Sequence, residues 1–229
     1  MSTKKVLAIT IDGVIRDFFD QFDTVYRKKF IKNQGIVQMT ENYEFLPEDE
    51  ESENAEYERL ENIANSLIHL PLTTYSLRNH YEFESNEIFE NFLYQDNVLE
   101  LFGSASQIPF AMEQANKIYN IKQDLGISDV ILFCPGKNQV ITATLHFLLK
   151  SSCKIGHIIF SENPLDVWEY ADIVLTDNPN ILDAKPKDKK TIKLKKDYNT
   201  SSLHDVEINS IKEIDLRMLE NFIKNNIYN

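Results

Sequence analysis

Val6-Leu7-Ala8-Ile9-Thr10-Ile11, closed by Asp12-Gly13, is an apolar run relieved only by Thr10. A run of this length without polar alternation predicts a strand buried on both faces, and Asp-Gly predicts the turn that ends it. From Val14 the period changes: Ile15, Phe18, Phe19, Phe22, Val25, Tyr26 and Phe30 recur at three and four. That spacing predicts one apolar face of a helix that stops near Gly35.

Farther along, the same alternation returns. A helix is expected over 107–125, ending at Gly126, then a strand Asp129–Phe133, then Cys134-Pro135-Gly136-Lys137 and a helix to about Lys150. Strand Ile155–Phe160, a short helix Pro164–Tyr170, strand Asp172–Thr176, a tail strand Thr191–Leu194 and a final helix over 210–225 complete the series. Apolar strands alternating with helices predict an α/β fold, a parallel sheet with right-handed crossovers and helices on both faces. Ligand sites in such sheets lie beyond the carboxyl ends of the strands, so Thr10–Gly13, Cys134–Lys137 and Thr176–Asn178 are expected at one rim.

Between these parts lies a different composition. An acidic run, 41–61, with Glu48-Asp49-Glu50-Glu51 at its centre, leads into helical spacing at Tyr57, Leu60, Ile63, Ala64 and Leu67, then Pro71. A second helical pattern follows at Ile88, Phe89, Phe92, Leu93, Leu99 and Leu101. The expected organisation is therefore a core of residues 1–35 and 105–229, with 36–104 inserted as a helical cap.

Composition narrows the function. With 24 Lys and Arg against 36 Asp and Glu, the formal charge of −12 opposes binding to nucleic-acid phosphates. Six glycines argue against a glycine-rich nucleotide-binding loop. Cys134 and Cys153 make no disulfide framework, and His69, His80, His146, His157 and His204 show no metal-ligand spacing. No apolar run suits a signal peptide or a membrane span, so a soluble cytoplasmic protein without membrane contact is expected.

Ile9-Thr10-Ile11-Asp12-Gly13-Val14 and its aromatic helix resemble the first motif of haloacid-dehalogenase-type (HAD) phosphatases, most closely the 5'(3')-deoxyribonucleotidases, many of them phage-encoded. Asp172-Ile173-Val174-Leu175-Thr176-Asp177-Asn178-Pro179 resembles that family's fourth motif, and Lys195-Lys196-Asp197-Tyr198-Asn199 resembles the segment that often follows it. The resemblance implies a HAD-like core with a cap and a magnesium-dependent transfer of phosphate to an Asp nucleophile, with a second Asp as acid. It also implies what has gone. The nucleophile position is Thr10, the acid position Asp12, and a metal-binding carboxylate of the fourth motif is replaced by Thr176, leaving Asp177. The hydroxyl position falls at Cys134, and the expected lysine falls near Thr144, which carries no charge.

Loss of several cooperating groups predicts a catalytically inactive protein with no cofactor and a vestigial rim of Thr10, Asp12, Gly13, Cys134, Thr176 and Asp177. Such a chain is expected to serve as a structural or protein-interaction component, through partner proteins or self-assembly. The phage relatives and a Lys/Asn/Ile-rich composition suggest a phage assembly, hence virion association. Two alternatives stand beside this: a non-hydrolytic nucleotide or phosphate binder, and an active magnesium-dependent 5'-nucleotidase whose motifs align differently. Asp12-Gly13 and Asp177-Asn178-Pro179 are also ordinary turn formers, and Cys134 suits a small buried position. Lys137 suits a helix start. The acidic stretch 44–58 and the seven lysines of 185–196 are read as solvated charge that could register a partner. The aromatic residues of the cap (Tyr43, Phe45, Tyr57, Tyr75, Tyr81, Phe83, Phe89, Phe92, Tyr94 and Phe102) are expected to contribute an interface centre.

Overall fold

The computed structural model describes residues 5–31 and 72–224. The acidic run, the helical spacing at 57–67 and the cap residues Tyr43, Phe45 and Tyr57 lie outside the described residues. Two compact units are present, residues 1–18 with 72–229 and residues 19–71. Of the second, the described part is the helical run Phe19–Ile31, where Asp23 pairs with Arg27 at 2.7 Å and Phe22 stacks on Tyr26. The segment 72–104, expected as part of a cap, groups with the sheet in the first unit.

That unit is built on a six-stranded parallel sheet, so the expected α/β class is observed. The apolar run forms β1 (Lys5–Thr10), flanked by β2 (Ile127–Pro135) and β4 (Ile173–Thr176). Outside them lie β3 (Ile158–Ser161) on one side, and β5 (Lys190–Leu194) and β6 (Val206–Ile208) on the other. Consecutive residues Leu7, Ala8 and Ile9 are all shielded from solvent, so both faces of β1 are covered, as its unbroken apolar pattern requires. On one face Ala8, Ile131, Phe133 and Val174 pack against Val167, Trp168 and Ala171 of the short helix Val167–Tyr170 and its end.

Several elements depart from the sequence reading. The first helix begins at Phe18, not Val14, because residues 12–16 form a tight turn in which Ile15 N and Arg16 N both donate to Ile11 O. Gly13 takes φ +76°, a left-handed conformation that glycine adopts without a Cβ penalty. Asn178-Pro179 opens a short helix, Pro179–Asp183, with Asn178 Oδ1 accepting from Asn180 N at 2.9 Å. The three-residue strand β6 was too short for its period to be read.

The strand order β3-β2-β1-β4-β5-β6 reverses direction of growth between β1 and β4. At such a switch point the connections leave on opposite sides and open a crevice at the carboxyl ends of the two strands. Thr10 and Thr176 are the residues that end β1 and β4.

Among the described residues no helix is long and apolar enough to cross a membrane. The lysines of 185–196 do not form the solvated basic loop expected of them. Lys190 and Lys193 lie buried on β5, and four of the group are paired within the unit: Lys185 with Asp205, Lys189 with Asp172, and Lys193 and Lys195 both with Glu207. Lys190 reaches Phe222 O and Lys5 reaches Ile223 O, so two cations hold carbonyls near the end of the final helix, Leu216–Lys224.

Candidate functional site

The rim expected from the strand ends is assembled, and a residue that the sequence reading passed over stands at its centre. The turn after β1 carries Arg16 back beneath the strand end, where it is fully buried. Its Nε donates to Asp12 Oδ1 at 2.5 Å, and its Nη1 donates to Phe102 O at 2.7 Å and to Thr144 Oγ1 at 3.0 Å. Nη2 lies 3.9 Å from Cys134 Sγ. The rings of Phe102 and Phe147 flank the guanidinium, with centroids 5.0 and 5.3 Å from its central carbon. A positive charge therefore sits against Thr144 after all, delivered by the first loop rather than by the helix Ile141–Lys150. Arg16 was detectable: it is the lone basic residue in the apolar stretch that follows Asp12, four positions on.

Burying a guanidinium is tolerable only when it is paired and hydrogen-bonded. Asp12 meets that need, which makes it more than a turn former and commits its carboxylate to an internal partner. Cys134 is fully buried beside this pair; burial, followed by the nearby Asp12 charge, pushes its thiol up to about 12, so it remains a neutral thiol. Lys137 pairs with Glu90 and lies over the Tyr94 ring.

On the other side of the switch point, Thr10 and Thr176 are joined. Thr10 Oγ1 lies 3.1 Å from Thr176 Oγ1, which also accepts from Asn178 N at 3.1 Å. Both hydroxyls are buried and neutral. The carboxylate nearest to Thr10 in sequence, Asp12, is engaged by Arg16 through Oδ1.

Asp177 follows, fully buried. Tyr198 donates its hydroxyl to Asp177 Oδ2, and Asn199 Nδ2 donates to Asp177 O at 2.7 Å and to Leu194 O at 3.0 Å. The Tyr198-Asn199 pair thus ties the end of β5 to the loop after β4. Asp177 Oδ1 has no hydrogen-bond partner among the described residues. Gly13 lies against this carboxyl so closely that a Cβ there would fall 1.7 Å from Oδ2. Burial pushes the Asp177 carboxyl up to about 7, opposed by the Tyr198 hydrogen bond, and the same neighbourhood pushes the Tyr198 phenol far above its ordinary range.

Among the described residues no group of three His, Cys, Asp or Glu side chains converges as a metal site would. Of the expected cap aromatics that are described, Tyr81, Phe83, Phe92 and Phe102 are buried, and Tyr75, Phe89 and Tyr94 are half-buried. They face inward: Phe102 stacks on Phe18 at 4.9 Å, and Phe83 meets Phe89 and Phe92 at 5.1 and 5.5 Å. Tyr75, Phe89 and Tyr94 keep part of their ring surface open.

Two predictions follow from the buried charges. Replacing Arg16→Met strands Asp12, Phe102 O and Thr144, and should lower unfolding free energy by about 3 kcal/mol in urea titration. Arg16→Met combined with Asp12→Leu should recover most of that loss, whereas an Arg16→Met protein as stable as the parent would show the ion pair to be idle. For Asp177, the folded value near 7 lies above the unfolded value of 3.8, so the native state holds the proton more tightly. Its contribution to stability is complete below pH 3.8 and is lost as pH rises through 7. Asp177→Asn should therefore gain on the parent chain progressively between pH 4 and 8 in thermal melts; a constant offset across that window would contradict the assignment.

No family model matches the chain, and no curated protein matches it. Solved structures do show likeness. A HAD-superfamily hydrolase of subfamily IA, variant 1, from Geobacter sulfurreducens PCA is 14% identical with a TM-score of 0.47, the alignment covering 92% of this chain and 97% of that one. L-2-haloacid dehalogenase from Xanthobacter autotrophicus, solved with chloropropionic acid covalently bound, is 8% identical with a TM-score of 0.46, covering 99% and 100%. At these identities and TM-scores the likeness assigns the chain neither a family nor an activity.

Proposed function

We propose that this chain is a HAD-like, deoxyribonucleotidase-type protein that no longer hydrolyses phosphate esters and is retained as a structural or protein-interaction component, in the setting of a phage assembly. One observation carries the reading: the Arg16 guanidinium fills the place between Asp12, Thr144 and Cys134. A phosphatase of this kind needs that place open, with its carboxylates free for magnesium and for proton transfer.

The donors do not suit magnesium, which seeks several hard anionic oxygens in near-octahedral array. Asp12 is bound to Arg16, Thr10 and Thr176 offer neutral oxygens already bonded to each other, and Asp177 is enclosed beneath Tyr198 with its carboxyl raised. The proton chemistry is equally blocked. An acid must release and regain a proton near neutral pH, and the Asp12 carboxylate is already taken up as the acceptor of Arg16 Nε.

With excess magnesium, the purified protein should show no turnover above background on deoxynucleoside monophosphates or on 4-nitrophenyl phosphate. Turnover that disappears in Asp12→Asn would overturn the proposal. A second measurement tests the positional assignment. The double variant Thr10→Asp with Thr176→Asp would set two carboxylates in the place of the paired hydroxyls, where they repel each other unless a cation joins them. Its melting temperature should fall below that of the parent and rise again with added magnesium, while the parent's stays constant. A folded double variant indifferent to magnesium would show that these hydroxyls do not mark former metal positions.

A further inference from the structure

Beside the strand-end rim, and distinct from the place that Arg16 fills, lies a cavity of about 610 Å³. Its size falls within the range of small-molecule sites. The wall includes Tyr75, Arg78, Phe89, Tyr94, Asn180 and Tyr198. The aromatic members are half-buried, so each keeps part of its surface open. Tyr198 is held from below by Asp177 and meets the edge of Tyr75 at a centroid distance of 5.5 Å. Tyr94 stacks on Phe102 and carries Lys137 over its ring at 4.9 Å. Phe89 is braced edge-on by Phe83. Rings positioned in this way offer flat apolar faces at little further ordering cost.

Arg78 is the second element. Its guanidinium lies 5.9 Å from the centroid of the Phe83 ring, and no carboxylate among the described residues pairs with it. In a chain of net charge −12, where Arg16 and Arg27 are each paired with an Asp, a half-buried guanidinium without an acid on a cavity wall is unusual. It is a donor fork suited to a carboxylate, sulfonate or phosphate.

The geometry points to this cavity as a binding site for a small planar aromatic molecule that carries one anionic group, its ring against Tyr94, Phe89 and Tyr198 and its anion on Arg78. The site needs no catalysis and does not depend on whether the rim hydrolyses phosphate.

The probe for the test is 8-anilinonaphthalene-1-sulfonate, an aromatic anion, titrated into the full chain and followed by its fluorescence. The neutral N-phenyl-1-naphthylamine serves as the counterpart without the anion. The sulfonate probe should bind saturably at one site, and Arg78→Met should weaken it about tenfold, with Arg78→Lys recovering part of the loss. The neutral probe should bind the parent and Arg78→Met equally. Tyr94→Ala should weaken both probes. Leu149, 82% exposed on the outer face of the helix Ile141–Lys150 beside Leu145, offers a place for non-specific dye binding, so Leu149→Ser should leave both affinities unchanged. Sulfonate binding within twofold of the parent in Arg78→Met, or binding abolished by Leu149→Ser, overturns the assignment.

Discussion

A guanidinium with no access to solvent constrains everything around it. Arg16 is fully buried, and a charge in that position must find an opposite charge and several hydrogen-bond acceptors or the fold would not hold it. Asp12 supplies the charge, Phe102 O and Thr144 Oγ1 supply acceptors, and two phenylalanine rings flank the group. These partners come from the loop after β1, from the segment at 102, and from the helix Ile141–Lys150, so one side chain ties three separated parts of the chain to the end of the central strand. The tight turn at 12–16 and the late start of the first helix follow from the same requirement, since a helix running from Val14 would not bring Arg16 beneath the strand.

The pair also shapes the rim, because Asp12 Oδ1 is already engaged by Arg16 Nε inside the fold. Two hydroxyls joined across the switch point are compatible with this arrangement because they add no charge to a buried place. Asp177 is the exception: its buried carboxyl forms no ion pair among the described residues, and the cost appears as a raised proton affinity. Gly13 is required there twice over, by its positive φ and by the closeness of the Asp177 oxygens.

Charge elsewhere in the unit is handled by local pairing. Lysines on β5 and in the segments flanking it meet Asp172, Asp205 and Glu207 within the same unit, which leaves less free positive charge for a partner than their number suggests. The aromatic residues of 75–102 are likewise turned inward, where they build the wall of a cavity and the packing around Arg16. Arg78 escapes this rule: no carboxylate among the described residues pairs with it, which sets it apart from Arg16 and Arg27.

Much of the architecture was legible because the signals were local. The unbroken apolar run of β1 predicted a strand covered on both faces, and the period change after it predicted a helix. Strand ends bearing Thr10, Asp12, Cys134, Thr176 and Asp177 were placed at one rim by the rule that parallel strands present their carboxyl ends together. What the sequence left open was which partners those residues would meet. Arg16 stands four residues from Asp12 and reads as an ordinary ion pair, but its burial depends on Thr144 and on Phe102, respectively 128 and 86 positions away. Asp177 reads as a turn former until Tyr198 and Asn199 close over it from the next strand end. The strand β6 is three residues long, too short for periodicity to register, and exists through its pairing with β5. Sequence determined the strands and the residues at their ends, because burial pattern is a property of neighbours along the chain. Tertiary structure decided the charge state and accessibility of the rim, because those depend on groups that meet only when the sheet has assembled.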